Sequence, residues 1–401
     1  MTWFVKAAVI HHTLNTLGGE TTVAIDAIES LHELGYEVDL ITVQPPDLER
    51  VAKAYGKDLQ IKHMISLLPF KANYFGMYQK LMTVLLSSRI HGADIVLNTH
   101  GDLLPYHIEG SRQISYVHFP AFLLTSSEEF RNWKYENSLF WRAYFKPYQS
   151  ISSFLAKRAA RNNNNLGLVL VNSAFSKNAI KKVFPDIDVR VLYPPVDTDR
   201  FSNACDSDIA DGSQVLTVSR FSPEKQIENA IKVALLLPDT RFEIAGALMR
   251  ANTSYFKSLQ NMIERHGLGN RVRLKPNATN EELLDSMSKS SVYLHTMAGE
   301  HFGMSIVEAM SAGLVPVVPS YGGCSEIVPA EYQYGTVREA ADRIARIIDS
   351  GDHSKTARRR MRNMAMRFSS KEFKKEIKKY IEQVKSVPIE AGKRSQPAEA
   401  A

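Results

Sequence analysis

Cysteine is scarce in this chain of 401 residues, which contains only Cys205 and Cys324. Two distant cysteines make neither a disulfide framework nor the paired spacing of a zinc site, so we expect structural thiols. Long apolar runs are also lacking, because the longest have the length of a strand and not the roughly 20 residues of a membrane-spanning helix. The N-terminus has no basic flank and no small-residue cleavage site, which favours a first strand, no signal peptide and a cytoplasmic protein.

The net charge is modest, at a formal +6, with 23% charged and 44% apolar residues. These values are typical of a soluble globular protein, and the length allows two domains of ordinary size. The basic residues nevertheless form two clusters. The first comprises Arg131, Lys134, Arg142, Lys146, Lys157, Arg158 and Arg161, and the second Arg358, Arg359, Arg360, Arg362, Arg367, Lys371, Lys374, Lys375, Lys378 and Lys379. Such clusters can contact anionic lipid, nucleic acid or water. Without any finger, ribonucleoprotein or homeodomain signature, we expect no nucleic-acid partner.

Alternating strand and helix patterns run along the first half of the chain. An apolar strand at 5–10 precedes Gly18-Gly19, a helical pattern at 20–34, a stop at Gly35 and a strand at 37–43. This is a βαβ opening. Further parallel strands are predicted at 95–99, 113–117 and 166–171. The first domain is therefore predicted to be doubly wound.

The alternation restarts after a stiff segment at Tyr193-Pro194-Pro195. Strands are predicted at 215–219, 241–245, 272–274, 291–295 and 313–318, and helices at 226–236, 254–266 and 280–288. We therefore predict a first domain at 1–193, a second doubly wound domain at 194–370, a closing helix at 371–386 and a disordered tail at 387–401.

Two acids, Glu300 and Glu308, lie eight residues apart around Gly303 at a predicted junction between a loop and a helix. Eight residues make a little over two helical turns, so one ligand can touch both acids. Free amides at the helix start suit a phosphate. A nucleotide sugar offers both hydroxyls and phosphates. The alternative is an ordinary amphipathic helix with solvated acids.

Two cations, Arg220 and Lys225, directly follow the first strand of the second domain. Open α/β sheets bind ligands at this place, and an arginine fork with a nearby lysine suits a diphosphate whose charge rises as a sugar departs. The alternative is two solvated cations beside a helix start.

The segments 219–225 and 300–308 resemble the two signature regions of the retaining GT-B glycosyltransferases of family four, and the resemblance covers nearly the whole chain. Residues 116–120, 223–225 and 294–303 are closest to those members that add α-1,2-linked mannose to a dolichol-linked oligosaccharide. The resemblance implies an α/β GT-B fold with two Rossmann-like domains, a cleft between them and a C-terminal helix that can cross back to the first domain. It also implies that the first domain binds the acceptor and the second the nucleotide sugar.

The same resemblance implies roles for individual residues. Arg220 and Lys225 hold the donor diphosphate, Glu308 accepts from the ribose hydroxyls, and Glu300 with the backbone of Phe302 and Gly303 holds the sugar. Met304 is a further donor-binding residue. Gly18 and Gly19 match the family's N-terminal glycine loop, which approaches the phosphates closely. His118 contacts the transition state or a sugar hydroxyl, the alternative being a structural histidine. His118, Glu300, Arg220 and Lys225 form the expected catalytic set. Gln226 departs from the glycine common in the family.

The implied activity is that of a retaining hexosyltransferase, an α-mannosyltransferase of protein glycosylation. It moves mannose from GDP-mannose to a lipid-linked glycan on the cytosolic face of a membrane, as a peripheral protein. Asp186-Ile187-Asp188 and Asp197-Thr198-Asp199 could hold a divalent ion, but neither follows a ligand-facing strand, so we expect no obligatory metal or other cofactor.

Three other functions stay open at this point. A UDP sugar could replace GDP-mannose, with another lipid or a polysaccharide as acceptor. A dinucleotide-dependent dehydrogenase is disfavoured, because Gly18-Gly19 is not G-x-G-x-x-G and no acid ends the strand at 37–43. A non-catalytic nucleotide-sugar sensor is the third.

Two stretches that mix aromatic and basic residues have two interpretations. Trp141, Tyr144, Phe145 and Tyr148 recur at helical spacing, and residues 62–86 mix apolar side chains with lysines. Either stretch could form a core face, or an interfacial helix among the head groups of an anionic membrane.

Overall fold

The structure is a computed structural model that describes residues 5–16, 18–71, 76–106, 108, 110–124, 139–161, 166–202, 214–351 and 354–386. Several predicted features lie outside these residues. They are Cys205, Arg131, Lys134, the side chain of Trp141 and the tail at 387–401.

The first half of the chain forms a parallel sheet with the strand order β3-β2-β1-β4-β5-β6-β7. Its strands are β1 (Val5–Ile10), β2 (Tyr36–Thr42), β3 (His63–Ser66), β4 (Ile95–Asn98), β5 (Arg112–Val117), β6 (Leu168–Val171) and β7 (Val189–Val191). Its helices are α1 (Gly19–Glu33), α2 (Leu48–Tyr55), α3 (Gly76–Met82), α4 (Ala121–Leu124), α5 (Leu139–Arg161) and α6 (Ala174–Val183), with a 3₁₀ helix at Thr83–Arg89.

The second half forms another parallel sheet with the order β10-β9-β8-β11-β12-β13. Its strands are β8 (Gln214–Val218), β9 (Arg241–Gly246), β10 (Val272–Pro276), β11 (Val292–Leu294), β12 (Val315–Pro319) and β13 (Gln333–Tyr334). The helices are α7 (Thr198–Ser202), α8 (Glu228–Leu236), α9 (Thr253–Arg265), α10 (Asn280–Ser288), α11 (Met304–Ser311), α12 (Cys324–Ile327), α13 (Val337–Asp349), α14 (Lys355–Ala365) and α15 (Ser370–Ser386). Short 3₁₀ helices lie at Pro223–Lys225, Arg250–Asn252, Ala330–Tyr332 and Met366–Phe368.

Both sheets have the doubly wound order that the sequence predicts. In each, the chain reverses its direction of growth between two central strands, β1 and β4 in the first sheet and β8 and β11 in the second. A crevice opens at the carboxyl ends of the strands at such a switch point, and ligands of open α/β sheets bind there. The topology therefore provides two candidate ligand crevices, one in each domain.

The last helix, α15, crosses back onto the first domain, as expected. Phe373, Ile377 and Ile381 are buried in the apolar cluster beneath β1 and α1. On the rim of this contact, Lys374 pairs with Glu29 at 2.6 Å and with Glu33 at 3.1 Å. The apolar face of α15 supplies part of the first domain's core. Because α15 follows the second domain in the chain, this helix holds the two domains together.

Helix α5 buries part of its aromatic face. Phe145 and Tyr148 are fully buried in the first domain, and Tyr78 donates a hydrogen bond to the carbonyl of Tyr144 at 2.6 Å. Phe145 and Tyr148 therefore belong to the core, whereas Tyr144 is only half-buried. None of the described helices is both long and apolar enough to cross a membrane. Cys324 is a buried free thiol, and burial raises its pKa to about 12, as expected of a structural cysteine.

Replacing Ile377 by alanine is expected to destabilise the fold by about 2–4 kcal/mol, because it leaves a cavity in a fully buried position. Urea denaturation monitored by circular dichroism measures this loss. Lys379→Ala on the exposed side of α15 is the matched control and should change stability by less than about 0.5 kcal/mol. Equal effects of the two variants would contradict the packing of α15 on the first domain.

Candidate functional site

An ion pair lies at the switch point of the second sheet. The ammonium of Lys225, in the 3₁₀ turn that follows β8, is 2.6 Å from Oε2 of Glu300, in the loop that follows β11. His295 lies on the other side of the same carboxylate, with Nε2 3.5 Å from Oε2. Burial alone would raise the pKa of Glu300, but Lys225, with His295 and His301, holds it well below its usual range. The carboxylate is therefore ionised at neutral pH.

The turn that carries Lys225 ends in a left-handed residue. Gln226 has φ 51° and ψ 42°, and its amide donates to the carbonyl of Pro223 at 2.9 Å. Glycine takes this conformation without steric cost, whereas a residue with a β-carbon loses about 1–2 kcal/mol. Gln226 adopts this left-handed conformation in spite of its β-carbon.

Glycines also fix the loop around Glu300. Gly303 has φ 101° and directly precedes α11, and a β-carbon there would lie 2.5 Å from Cδ1 of Ile306. Across the loop, Gly323 donates its amide to the carbonyl of Glu300 at 2.6 Å, and a β-carbon on it would lie 2.0 Å from the carbonyl oxygen of His301. The backbone at the start of α11 is thus held close with no side chain in front of it. Free amides at such a helix start favour an anion.

Glu308 lies in the second turn of α11. It lines a cavity of about 830 Å³ together with Tyr55, Met304 and Arg200. Burial raises the pKa of Glu308 to about 7, an effect that Arg200 opposes and Asp197 reinforces. Near neutral pH this carboxyl group can therefore change between its charged and neutral forms.

Arg220 is not brought into contact with the Lys225 and Glu300 pair. Its side chain is 58% exposed, and its nearest acid is Glu224, at 3.6 Å. It lies two residues after the end of β8, at the carboxyl edge of the second sheet.

The N-terminal glycine loop contacts the second domain. A β-carbon on Gly19 would lie 2.4 Å from Sδ of Met304, so the absence of a side chain permits this close approach. The amide of Gly18 donates to the hydroxyl of Tyr55 at 2.9 Å. The two glycines thus lie beside the start of α11, while Phe302, also among the predicted sugar-binding residues, is buried against Tyr193 and Phe368.

His118 directly follows β5, at the carboxyl edge of the first sheet. Its Nε2 is buried and has no hydrogen-bond partner among the described residues. Burial lowers the pKa of His118 to about 4, with Lys80 and His301 adding to the effect and Glu20 opposing it. The imidazole is therefore neutral at pH 7 and can donate or accept one hydrogen bond at its free nitrogen.

Sequence reasoning missed several neighbours of these residues. His11, His12 and His100 follow the central strands β1 and β4, and Glu20 pairs with Lys80 beside them. The rule that ligands bind at the ends of central strands could have singled out the three histidines, had the strand order been known. The pair of Glu20 and Lys80, which are 60 residues apart, has no local signal in the sequence.

No three of the described His, Cys, Asp and Glu side chains are arranged to hold a metal ion. In the two Asp-x-Asp segments, Asp188 instead pairs with Arg190 at 3.0 Å, and Asp197 accepts from the amide of Arg200 at 3.2 Å.

Two family models match consecutive parts of the chain. The model described as Glycosyltransferase Family 4 matches residues 17–200, and the model described as Glycosyl transferases group 1 matches residues 205–368.

Among solved structures, the chain resembles sucrose-phosphate synthase from Thermosynechococcus elongatus with a TM-score of 0.72 and 16% identity, over 95% of this chain and 99% of that one. It also resembles Anabaena HepE in complex with UDP, with a TM-score of 0.67 and 17% identity, over 94% of this chain and 100% of that one. At these identities the likeness concerns the fold.

Curated relatives carry mannosyltransferase names. The chain is 25% identical, over 68% of its length, to the GDP-Man:Man(3)GlcNAc(2)-PP-Dol alpha-1,2-mannosyltransferase of Dictyostelium discoideum, and over 70% of its length to that of Caenorhabditis elegans. It spans 59% and 65% of these two relatives. It is also 26% identical to the alpha-1,3/1,6-mannosyltransferase alg2 of Schizosaccharomyces pombe, over 81% of this chain and 69% of that one. The sheet topology and the two matched models establish that the chain belongs to the glycosyltransferases of the GT-B fold, with a family 4 first domain and a group 1 second domain.

Proposed function

We propose that the chain is a retaining α-mannosyltransferase that takes mannose from GDP-mannose and adds it to a lipid-linked glycan at the cytosolic surface of a membrane. The observation that carries the proposal is the buried pair of Lys225 and Glu300, set beside the glycine-led start of α11. It places a cation, a carboxylate and free amides within one crevice. These are the groups that a sugar diphosphate requires.

Different residues would hold the charged groups and the hydroxyl groups of the donor. Lys225 and Arg220 would neutralise the diphosphate, whose charge rises as the sugar bond breaks. Glu300, with the backbone from Phe302 to Met304, would hold the sugar, and Glu308 would accept from the ribose hydroxyls. Cations and amides fixed before the reaction stabilise the leaving group without reorganisation, so electrostatics would be the main contribution of the protein.

The choice of mannose and of a lipid-linked acceptor is supported by the names of the curated relatives. Incubating the purified protein with radiolabelled GDP-mannose, or with UDP-linked sugars, and a lipid extract tests the donor. Transfer from GDP-mannose alone, with an α-linkage in the product by NMR, is the expected result. Transfer from UDP sugars alone would overturn the mannose assignment and favour a UDP-sugar-dependent enzyme.

Attachment to a membrane surface is supported by the outer side of α5. Ile151 and Phe154 are 43% and 62% exposed, and Arg158 and Arg161 continue the same stripe at helical spacing. Exposed apolar side chains followed by cations suit the boundary between acyl chains and anionic head groups. If these residues of α5 contact the membrane, the first domain would bring a lipid-linked acceptor to the cleft.

Replacing Arg220 by glutamine is expected to lower turnover about 10²-fold, because one charge on the departing diphosphate is lost. Since the side chain is largely exposed, the fold should be unaffected. Initial rates with GDP-mannose measure the effect, and Lys232→Gln on the exposed face of α8 is the control. Unchanged turnover in the Arg220 variant would remove it from the donor site.

Binding of GDP-mannose is expected to weaken about tenfold between pH 8 and pH 6, because Glu308 has a pKa of about 7 and loses its charge as the pH falls. The charged carboxylate is the better acceptor for two ribose hydroxyls. Calorimetric titration across this range measures the change, and the sugar diphosphate itself has no ionisation near neutrality.

Glu308→Gln is the control for this pH dependence. The variant should bind GDP-mannose weakly and equally at both pH values. A pH slope that survives the substitution would show that another group is responsible.

Replacing both Ile151 and Phe154 by serine is expected to lower flotation with anionic vesicles at least about tenfold, because each inserted side chain contributes about 1.5–3 kcal/mol. Met249→Ser, at a comparably exposed position of the second domain, is the control. If the double variant floats like the unmodified protein, α5 is not the membrane contact.

A further inference from the structure

The pair of Lys225 and Glu300 joins two loops that follow neighbouring strands. Strands β8 and β11 are paired at the centre of the second sheet, and Lys225 follows the first of them while Glu300 follows the second. The ammonium lies 2.6 Å from Oε2 of the carboxylate, and the two side chains are only 17% and 15% exposed. Each charge therefore has the other as its partner, in a place that water reaches poorly.

The ammonium of Lys225 is held mainly by this carboxylate. Its other described contact, with Sδ of Met297 at 3.4 Å, involves a weak acceptor. The backbone of the turn is fixed as well, because the hydroxyl of Thr296 donates to the carbonyl of Lys225 at 2.6 Å. To reach another anion, the ammonium therefore has to leave Glu300 by rotation of its own side chain.

The carboxylate of Glu300 depends on this ammonium. Its Oε1 accepts from the amide of His301 at 3.1 Å, and its Oε2 lies 3.5 Å from Nε2 of His295. Burial alone raises the pKa of Glu300, and Lys225 is the main group that opposes this effect. A buried charge that loses its partner is strongly unfavourable. When Lys225 leaves, the carboxylate therefore needs new hydrogen-bond donors.

Backbone contacts hold the loop of Glu300 in place. Gly323 donates its amide to the carbonyl of Glu300 at 2.6 Å, and Gly299 donates to the carbonyl of Tyr321 at 2.8 Å. A bridge between Glu300 and Gly322 continues this pairing. None of these three contacts involves the carboxylate. We therefore expect the loop to keep its conformation when the ion pair is broken.

Under the proposed function, the two members of the pair have different ligands. Lys225 would bind the diphosphate of the donor, and Glu300 would bind hydroxyls of its sugar. In the structure they bind each other, so the donor has to replace the ion pair. An intact nucleotide sugar can do so, because it brings an anion for the ammonium and hydroxyl donors for the carboxylate.

We propose that the Lys225–Glu300 pair selects the intact nucleotide sugar against the nucleoside diphosphate that the reaction releases. Only a ligand that carries both a diphosphate and a sugar replaces both partners of the pair. The proposal rests on the proposed function and specifies how its donor site distinguishes the substrate from the product.

A nucleoside diphosphate without a sugar is at a disadvantage in this site. It attracts Lys225 but brings no sugar hydroxyls to Glu300. The carboxylate is then left buried and close to phosphates of like charge, which repel it. If Lys225 returns to Glu300 instead, the diphosphate loses a cation. Re-formation of the pair after the transfer therefore favours release of the nucleoside diphosphate and reduces its inhibition of the enzyme.

The first test compares the binding of GDP and GDP-mannose to the full chain with Glu300→Gln. Calorimetric titration at pH 8 is suitable, because Glu308, with a pKa of about 7, is charged there. The neutral amide frees Lys225, so GDP should bind about tenfold more tightly than to the unmodified protein. GDP-mannose should bind no more tightly, because the carboxylate that accepts from its sugar is lost. An unchanged affinity for GDP would overturn the proposal.

Glu224→Gln is the matched control. Glu224 lies 3.6 Å from Arg220, whose side chain is 58% exposed, so this pair is weak. The substitution should change the affinity for GDP by less than about twofold. An equal gain in the two variants would show that any loss of negative charge near the crevice strengthens binding, and would refute a specific role of the Lys225–Glu300 pair.

A double-mutant cycle separates competition for Lys225 from simple repulsion. If Glu300 weakens GDP binding by holding the ammonium, Glu300→Gln should have less than about a twofold effect in a Lys225→Gln background. If Glu300 only repels the diphosphate, the gain in affinity should be equally large in both backgrounds. The second result would contradict the proposal.

The unmodified protein provides a test that does not depend on the folding of any variant. It should bind GDP-mannose at least about tenfold more tightly than GDP. Tighter binding of GDP would overturn the proposal while leaving mannosyl transfer intact. Binding and transfer of UDP sugars alone would instead refute the proposed donor. In that case, the ratio of the affinities for the UDP sugar and for UDP tests the pair.

Discussion

The arrangement of the cleft depends on the contact between the two domains. A single carboxylate accepts hydrogen bonds across this contact. Glu326 accepts from the amides of Ala174 and Phe175, at 2.8 and 2.7 Å. Because these amides begin helix α6, they carry the positive end of its dipole, and the contact is a charge-assisted bridge between α12 and α6. In the same interface, the ring of Phe119 stacks on that of His301. These contacts bring the loops that follow β5 and β11 side by side.

The pair of Lys225 and Glu300 has a different energetic character. Removing both charges from water costs free energy that their mutual attraction need not recover. A buried ion pair is therefore weak evidence of stabilisation. Under the proposed function, its position beside Gly303, at the end of two central strands, is that of a ligand-binding pair. The buried imidazoles of the first domain also have unpaired ring nitrogens, and burying these nitrogens without a partner lowers the stability of the fold.

The sequence was sufficient for the regular elements that bury apolar residues. Strand β1 and helix α10 have the bounds that the pattern predicts, and α10 begins with a capping box of Thr279 and Glu282. The edge strands β3 and β13 were missed, because exposed or very short strands lack an apolar run. Spacing and resemblance pointed to the glutamates and cations of the second domain. The histidines of the first domain could not be grouped, since only the strand order brings the ends of β1 and β4 together.

The two crevices differ in charge. Under the proposed function, this difference affects how a retaining transfer would proceed. The second domain supplies the cations, whereas the first presents imidazoles whose pKa values, about 4 for His118 and about 3 for His100, make them poor bases at pH 7. A proton that leaves the acceptor hydroxyl would therefore pass more readily to the departing phosphate oxygen than to a histidine. In a retaining transfer that oxygen lies on the face from which the hydroxyl approaches. Neutral imidazoles can still orient the hydroxyl by hydrogen bonds, so the same burial that removes their basicity suits them to positioning.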